Sequence, residues 1–595
     1  MAPSYQRLDD RENANLPTAP RSGGWRRIIF GAIASCLMMW MGAVFVILSQ
    51  RRSWDLGNGG TGHQYGGEKV SWQPCGSVAG HPLECFNLTV PMDHFNMSKS
   101  KDKTFRIPVI RLRGGEHATK NLLLNPGGPG GSGLRLITRR GAQLRGVVGD
   151  GLHIVSFDPR GVGGSVPRAL CYPNNEIKSK LSSVRSKEAV HDSAEMYAWA
   201  KGFVRACKDT MGEQGGYITT PQTAADMNSI LDVVGQQDMY YWGFSYGTTL
   251  GQTYAQLFPE RSKRIIIDGV SNAFHWYDRD FDSIHYTDTE NAFMGIFHQC
   301  IEEKEKCALS AFGNRAEDLH KAVMDLGERL KEQPMSVYVN NTAWGQLTYE
   351  NIFFNGILPA LYRPLKWYAL AENLAKAING NATDAWLAYA QHEAFDMGDD
   401  SSDFVFNNDA RSGPNYWTQD RKEFLKGTVL SFVNMSMFGP SENLDYYTKQ
   451  QWIVPKTMEY TPQLTVATAE PMLLVSMTID PICPLISAKS AQRLFRDSRL
   501  VEIKGVGHCS VSVVSTCAAN HIRDYLHRGI VPNERHVTCE VDRPYFIDAD
   551  HEDVLTRRSF GRTEQSEKDR IYRAQLALAN DWQWMVRRGG LPIPL

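Results

Sequence analysis

The stretch MYYWGFSYG, residues 239–247, decides how this chain folds. Residues 239–242 form a short apolar run of the kind found in a strand buried on both faces. The run ends at Gly243, and Gly243-Phe244-Ser245-Tyr246-Gly247 fits the pattern G-x-S-x-G. A helical pattern follows to about Phe258, where Pro259 stops it. Between a strand and a helix this pattern makes a turn so tight that side chains at the two glycines would clash. The turn lifts the serine oxygen above the sheet, at the positive end of the next helix.

Working outward, the same alternation repeats. Residues 121–125 are an apolar run (Leu122, Leu123, Leu124) entering the turn PGGPGG, residues 126–131. Residues 152–157 lead into Asp158-Pro159-Arg160-Gly161. Thr220 and Pro221 read as an N-cap and first helical position, ahead of Met227, Ile230, Leu231 and Val234 at helical spacing. Residues 265–267 read as the next strand. Continuous apolar strands alternating with helices predict an α/β fold, a mostly parallel sheet covered by helices on both faces. Residues 276 to about 460 change character. Leu319, Val323, Leu326 and Leu330 form one helical stripe, and Leu370, Leu374 and Ile378 another. They read as a helical insertion, because strand-like runs resume at 472–476 and 500–503. A last helix begins near Glu564.

A serine hydroxyl is a weak nucleophile at neutral pH and needs a base, which in turn needs an orienting acid. When the serine sits on such a turn, acid and histidine follow it in the chain. The run 472–476 leads to Thr478-Ile479-Asp480-Pro481, and the run 500–503 to Gly505-Val506-Gly507-His508. Asp480 and His508 thus fall just beyond strand ends, where sites form in parallel sheets. Asp268, after the strand that follows the serine, is a rival acid. His521 and His527 lie in an amphipathic pattern and read as packing or surface residues. Oxyanion donors are expected at the Tyr246 and Gly128 amides, since glycines let the backbone approach a substrate closely. The Gly-rich turn lacks the Lys-Ser/Thr ending of a P-loop and the G-x-G-x-x-G spacing of a dinucleotide site. No Cys/His spacing marks a zinc site, and no cofactor is implied.

The N-terminus carries Arg7, Arg11, Arg21, Arg26 and Arg27 ahead of residues 28–49, an uncharged run of 22 residues. At 1.5 Å per residue it spans about 33 Å, enough for a single-pass anchor, and longer than the core of a cleaved signal peptide. The arginines place the tail in the cytosol and all that follows in the lumen or outside the cell, a type II arrangement. Secretion after cleavage is the alternative. Glycines in residues 51–69 read as a flexible stalk. Eleven cysteines, one of them Cys36 inside the span, leave an even set where disulfides persist. Cys75–Cys85, Cys171–Cys207, Cys300–Cys307 and Cys517–Cys539 are the candidate pairs, and Cys483 could tie the Asp480 loop to Cys509 beside His508. Sequons stand at Asn87, Asn96, Asn340, Asn381 and Asn434. A net charge of −1 excludes a broad basic field for nucleic acid.

Residues 122–133 (LLLNPGGPGGSG), residues 157–165 (FDPRGVGGS), the GFSYG turn, the Asp480-Pro481 and Gly507-His508 loops and the Cys517–Cys539 stretch together resemble the tripeptidyl aminopeptidase branch of the proline-iminopeptidase-like serine peptidases. The resemblance covers roughly residues 71–545. It implies an α/β-hydrolase core with a helical cap, no cofactor or metal, and release of residues or short peptides from the N-termini of small peptides. By position it makes Ser245, Asp480 and His508 a triad, with Gly128 and Tyr246 at the oxyanion hole. Two features depart from it: the anchor, and Cys509 where a small residue is expected. The expected layout is a tail (1–27), an anchor (28–49), a Gly-rich linker (50–70), a first core part (71–275), a cap (276–460), a second core part with the TAP-like segment (461–545) and a C-terminal helical extension (546–595). An esterase or lactonase acting on a small metabolite, and a non-catalytic membrane-tethered binding protein, remain as alternatives. The oligomeric state stays open.

Overall fold

The computed structural model describes residues 66–278, 284–390, 398–547 and 566–582, with the backbone of two short strands, Met585–Arg588 and Leu591–Pro594. The expected tail, the 28–49 anchor and most of the linker lie outside the described residues. Among the described residues, no helix is long and apolar enough to cross a membrane.

The strands in chain order are β1 (Gln73–Val78), β2 (His81–Pro91), β3 (Thr104–Leu112), β4 (Asn121–Asn125), β5 (His153–Phe157), β6 (Met239–Phe244), β7 (Ser262–Asp268), β8 (Met335–Asn340), β9 (Ala343–Leu347), β10 (Leu473–Ile479), β11 (Arg499–Val506) and β12 (His536–Glu540). All except β8 and β9 join one 10-stranded sheet, ordered β1-β2-β3-β5-β4-β6-β7-β10-β11-β12. From β5 to β12 neighbours run parallel, while β1, β2 and β3 form an antiparallel edge. Every residue of β4 and β5 is buried. Leu122 and Leu124 pack into one apolar cluster and Leu123 into another, which is why these strands read as unbroken apolar runs rather than alternating ones.

The order β5-β4-β6 positions the site. The chain leaves β4 on one side to make β5, then returns on the other side to make β6. The loops after β4 and β6 therefore diverge, opening a crevice at the carboxyl ends of the strands. The glycine-rich turn and the serine turn are those two loops.

The 273–451 region between β7 and β10 is mainly helical, with Thr289–Glu302, Ala316–Glu332, Trp367–Ile378, Ser401–Asp409 and Asn443–Gln451 as its longer helices. Leu319, Val323, Leu326 and Leu330 are all buried, as the stripe requires. Three points differ from the sequence reading. The insertion also holds the β8–β9 hairpin, whose strands are largely exposed although they carry Val337, Tyr338, Val339 and Trp344. The N-cap of the helix Thr220–Val233 is Thr219, whose hydroxyl accepts from the Gln222 amide, so the Thr220 hydroxyl is left for other work. The linker ends earlier than expected. Glu68 pairs at 2.7 Å with buried Arg111, and the Lys69 amide donates to Val233, because a buried guanidinium needs its counter-charge. The last described helix, Glu567–Asp581, is no loose extension: the Trp582 ring lies 4.9 Å from Phe244, directly before Ser245.

All four candidate cysteine pairs are disulfide-bonded. Cys483 and Cys509 are instead free, buried thiols, so the proposed tie between the two loops is not formed. The sequon asparagines Asn87, Asn96, Asn340, Asn381 and Asn434 are all exposed.

Candidate active site

Ser245 sits between β6 and the helix Tyr246–Leu257 with φ 55° and ψ −123°, a region a non-glycine residue occupies only when its surroundings enforce it. The enforcing contacts are its own amide, donating to Asp268 O at 3.0 Å, and its carbonyl, accepting from the Thr248 amide at 2.7 Å and the Thr248 hydroxyl at 2.6 Å. The glycines answer to space. A methyl on Gly243 would stand 2.4 Å from Gly247 O, and one on Gly247 2.9 Å from Asn125 O. A methyl on Gly127, at φ +89°, would fall 2.3 Å from Phe244 O and 3.2 Å from the Tyr246 amide nitrogen. The glycine-rich turn therefore lies directly on the serine turn, and the expected oxyanion segments, at Gly128 and Tyr246, are neighbours.

His508 follows β11 and is fully buried. Its Nδ1 lies 2.9 Å from both carboxylate oxygens of Asp480, at the end of β10. Asp480 also accepts from the amides of Ile482 (3.1 Å), Cys483 (2.8 Å) and Cys509 (3.3 Å), so the loop wraps the carboxylate and fixes its direction. The rival Asp268 makes its side-chain hydrogen bonds elsewhere. It accepts from the Ser510 amide (2.8 Å), the Ser510 hydroxyl (2.5 Å) and Trp242 Nε1 (3.2 Å). Burial pushes its carboxyl up to about 6, against the pull of those hydrogen bonds and of the nearby His508 charge. His521 is half-buried, and His527 Nε2 donates to Val148 O at 2.7 Å, away from the site. Cys517, His521 and Cys539 bring ligand atoms within 4.8 Å of one another, but the two sulfurs are spent on a disulfide.

Ser245, His508, Gly128 and Tyr246 line one cavity. The insertion supplies much of its wall: Leu358, Tyr362, Ser402, Phe406, Ser441 and Glu442. Tyr362 touches the imidazole itself, with ring centroids 5.2 Å apart, and its carbonyl accepts from the His508 amide at 3.3 Å. Glu442 is the one acidic side chain among the described lining residues. Three other acids of the insertion are engaged elsewhere. Glu290 accepts from Ser436 and Met437, Glu302 from Gln299, and Glu303 from Tyr545 and Phe546.

Two lining groups, His285 and Glu442, escaped the sequence reading, and a third, Cys483, was read only as a disulfide candidate. His285 is pushed down to about 3 by burial, reinforced by His275, His508 and Lys449, so at neutral pH it is an uncharged imidazole. The Cys483 thiol lines the cavity with Ser245 and is held well above its usual range by burial and then by Asp480. At neutral pH it is a thiol, not a thiolate. Glu442 sat in an undistinguished polar stretch. Cys509, at φ 63°, donates to Asp268 O at 3.1 Å and needs Gly269, where a methyl would meet its sulfur at 2.2 Å.

Residues 120–287 match the family model described as α/β hydrolase fold, and residues 437–539 the one described as TAP-like protein. The first spans β4, the glycine-rich turn and the serine turn, and the second spans β10, β11 and the loops bearing Asp480 and His508. The chain is a TAP-like α/β hydrolase. It is 28% identical over 500 residues to the tripeptidyl aminopeptidase of Streptomyces lividans, covering 79% of this chain and 86% of that protein. It is 26% identical over 530 residues to the serine protease Hip1 of Mycobacterium tuberculosis, covering 85% and 96%. Carboxylesterase B of Mycobacterium tuberculosis is 23% identical over 488 residues, covering 78% and 88%. With Ser245 on its strained turn and His508 held by Asp480, this TAP-like hydrolase is a serine hydrolase.

Proposed function

We propose that the protein is an aminopeptidase-type exopeptidase that releases residues or short peptides from peptide N-termini through an acyl-enzyme on Ser245. The geometry supports an ordered set of roles. His508 Nδ1–H is held by Asp480, which leaves Nε2 as the base. As Ser245 Oγ attacks the scissile carbonyl, its proton passes to Nε2 and the carbonyl oxygen becomes an oxyanion facing the Gly128 and Tyr246 amides. Collapse breaks the C–N bond, and the imidazolium returns that proton to the leaving amine. Water then attacks the ester, giving its proton to Nε2, and Ser245 regains a proton as the carboxylic acid leaves.

The observation that carries the exopeptidase reading is the cavity wall. Aromatic and aliphatic groups from the insertion enclose the serine, and a single described carboxylate, Glu442, stands among them. Enclosure limits substrate length, and a carboxylate in a low-dielectric wall favours a substrate ammonium. Fluorogenic peptides with free or acetylated N-termini test this, alongside a simple aryl ester. Acetylation is expected to lower kcat/KM by more than about 100-fold, and Glu442→Gln to erase most of that difference. Equal rates on both peptides, or a strong preference for the ester, would favour the esterase reading, to which the likeness to carboxylesterase B gives some support.

The same proposal places the catalytic part outside the cytosol on the 28–49 anchor. Four disulfides and five exposed sequons support this topology. A mobility shift on deglycosylation, with the tail protease-sensitive from the cytosolic side, is the expected result; an unglycosylated cytosolic protein would contradict it.

A further inference from the structure

The helix Ser401–Asp409 belongs to the insertion, yet its two ends are fastened to the two segments at the oxyanion position. At its start, the Ser402 hydroxyl donates to the carbonyl of Pro129, the residue after Gly128. The same turn is moored to the core. Asp399 accepts from the Gly163 amide at 2.7 Å, and Asp400 from the Cys171 amide at 2.6 Å and from Lys178 Nζ at 2.7 Å. At the far end Asp409 is buried among donors: from the core the Thr220 amide at 2.8 Å and hydroxyl at 2.5 Å, and from the start of the insertion Trp276 Nε1 at 2.9 Å.

Proton counting gives this end a direction. The Thr220 hydroxyl has one proton and gives it to the carboxylate, so it accepts from the Tyr246 hydroxyl at 2.6 Å. Asp409 thus holds, through Thr220, the side chain of the residue whose amide faces the oxyanion. Burial raises the Asp409 carboxyl to about 6, which still leaves it mainly an acceptor at neutral pH. Midway along the helix, Phe406 packs 4.8 Å from Trp276, which lies 5.1 Å from Tyr246. There is little slack at the first end: a methyl on Gly130 would come 3.0 Å from both the Ser401 and Ser402 hydroxyls.

We propose that this helix is a strut that sets the gap between the Gly128 and Tyr246 donors, with Ser402 and Asp409 as its positioning residues. Nine helical residues span about 12 Å, a rigid length that a loop would not supply. The insertion is then part of the catalytic apparatus and not only a wall. The idea rests on the hydrolase reading of Ser245 given above. It adds that donor spacing, which matters only when the oxyanion forms, is fixed from outside the core.

The test uses the purified full-length chain with Ser402→Ala, Ser402→Thr and Asp409→Asn, a fluorogenic peptide substrate, a peptidyl boronate that mimics the tetrahedral state, and a product peptide as ground-state ligand. Ser402→Ala and Asp409→Asn are expected to lower kcat about 10–100-fold with KM within about threefold. Boronate affinity should fall in step with kcat/KM while product affinity holds. Ser402→Thr, which keeps the hydroxyl, should recover most of the rate. Unchanged kcat in both variants, or equal losses for boronate and product, would overturn the strut. Should Asp409→Asn fail to fold, Ser402→Ala decides alone, since Ser402 is only half-buried. A wild-type protein that neither hydrolyses peptide nor binds boronate refutes the hydrolase reading, and the strut with it. An active wild type with indifferent variants refutes the strut only.

Discussion

Replacing Asp480 by asparagine separates the two candidate acids most cleanly. The carboxylate receives the His508 Nδ1–H at 2.9 Å on both oxygens, Ile482 and Cys483 amides on one oxygen, and the Cys509 amide on the other. An asparagine that keeps its oxygen on the Ile482 and Cys483 amides turns its NH2 toward His508 and Cys509. That group donates to Nδ1 and fixes the imidazole proton on Nε2, the nitrogen that has to accept the Ser245 proton. The expected loss in kcat is about 10³–10⁴-fold, equivalent to about 4–5.5 kcal/mol of transition-state stabilisation. Asp480 is fully buried, so KM should move only a few-fold. Asp268→Asn is the matched control. Asp268 serves Ser510 and Trp242 and does not reach the imidazole nitrogens, so its loss should cost less than about tenfold in kcat. Steady-state hydrolysis of a peptidyl-coumarin substrate at neutral pH reads both. An Asp480→Asn enzyme with more than a tenth of the wild-type kcat, beside a dead Asp268→Asn enzyme, would refute the assignment.

Other outcomes follow from the packing. Gly127→Ala forces a methyl to 2.3 Å from Phe244 O at φ +89°, so stability should fall by more than about 3 kcal/mol, with serine-probe labelling lost; a wild-type-like melt would contradict the close approach. Arg160 is buried, with Nε and Nη2 at 2.7 and 2.6 Å from the Asp226 oxygens and Nη1 on the Met92 carbonyl, so Arg160→Ala should cost about 3–5 kcal/mol in denaturant unfolding, with Arg160→Lys recovering only part. Asp268 has a folded-state pKa of about 6 against an ordinary 3.8, so between those values the folded state binds more protons than the unfolded one. Its contribution, about 3 kcal/mol, is present in full below about pH 4 and is lost as pH rises through about 6. His285, pushed down to about 3, has the opposite sign over the same interval, so the readout is the difference between wild type and Asp268→Asn across pH; a pH-independent difference would contradict the buried-acid assignment.

The strands and the serine turn were legible because their signals are local. Residues 121–125 emerge as β4 with the same ends, since a strand buried on both faces leaves no alternation to confuse. Ser245, Asp480 and His508 were legible because each follows an apolar run, Ser245 between two glycines at the start of a helix, Asp480 before Pro481 and His508 after Gly507. What stayed hidden depends on contacts far apart in sequence. Asp409 and Thr220 are separated by 189 positions, and nothing near either marks the bond. The Thr219–Thr220 shift shows the same limit: two adjacent threonines fit one capping pattern, and the partner of the second, in the insertion, settles which one caps. Glu442 and His285 are chosen by the fold of the insertion, where helical spacing specifies which face is buried but not which polar side chain meets the serine. The β8–β9 hairpin has strand-forming residues in Val337, Tyr338, Val339 and Trp344, but it lies between two helical stripes that set the reading of the whole insertion.

The most direct test of the nucleophile is peptide mapping of the full-length protein after reaction with a fluorophosphonate. A single adduct on the peptide containing Ser245, absent from Ser245→Ala and much slower to form in His508→Ala, is the expected result. An active protein that carries no adduct at Ser245, or labels equally well without the imidazole, would contradict it.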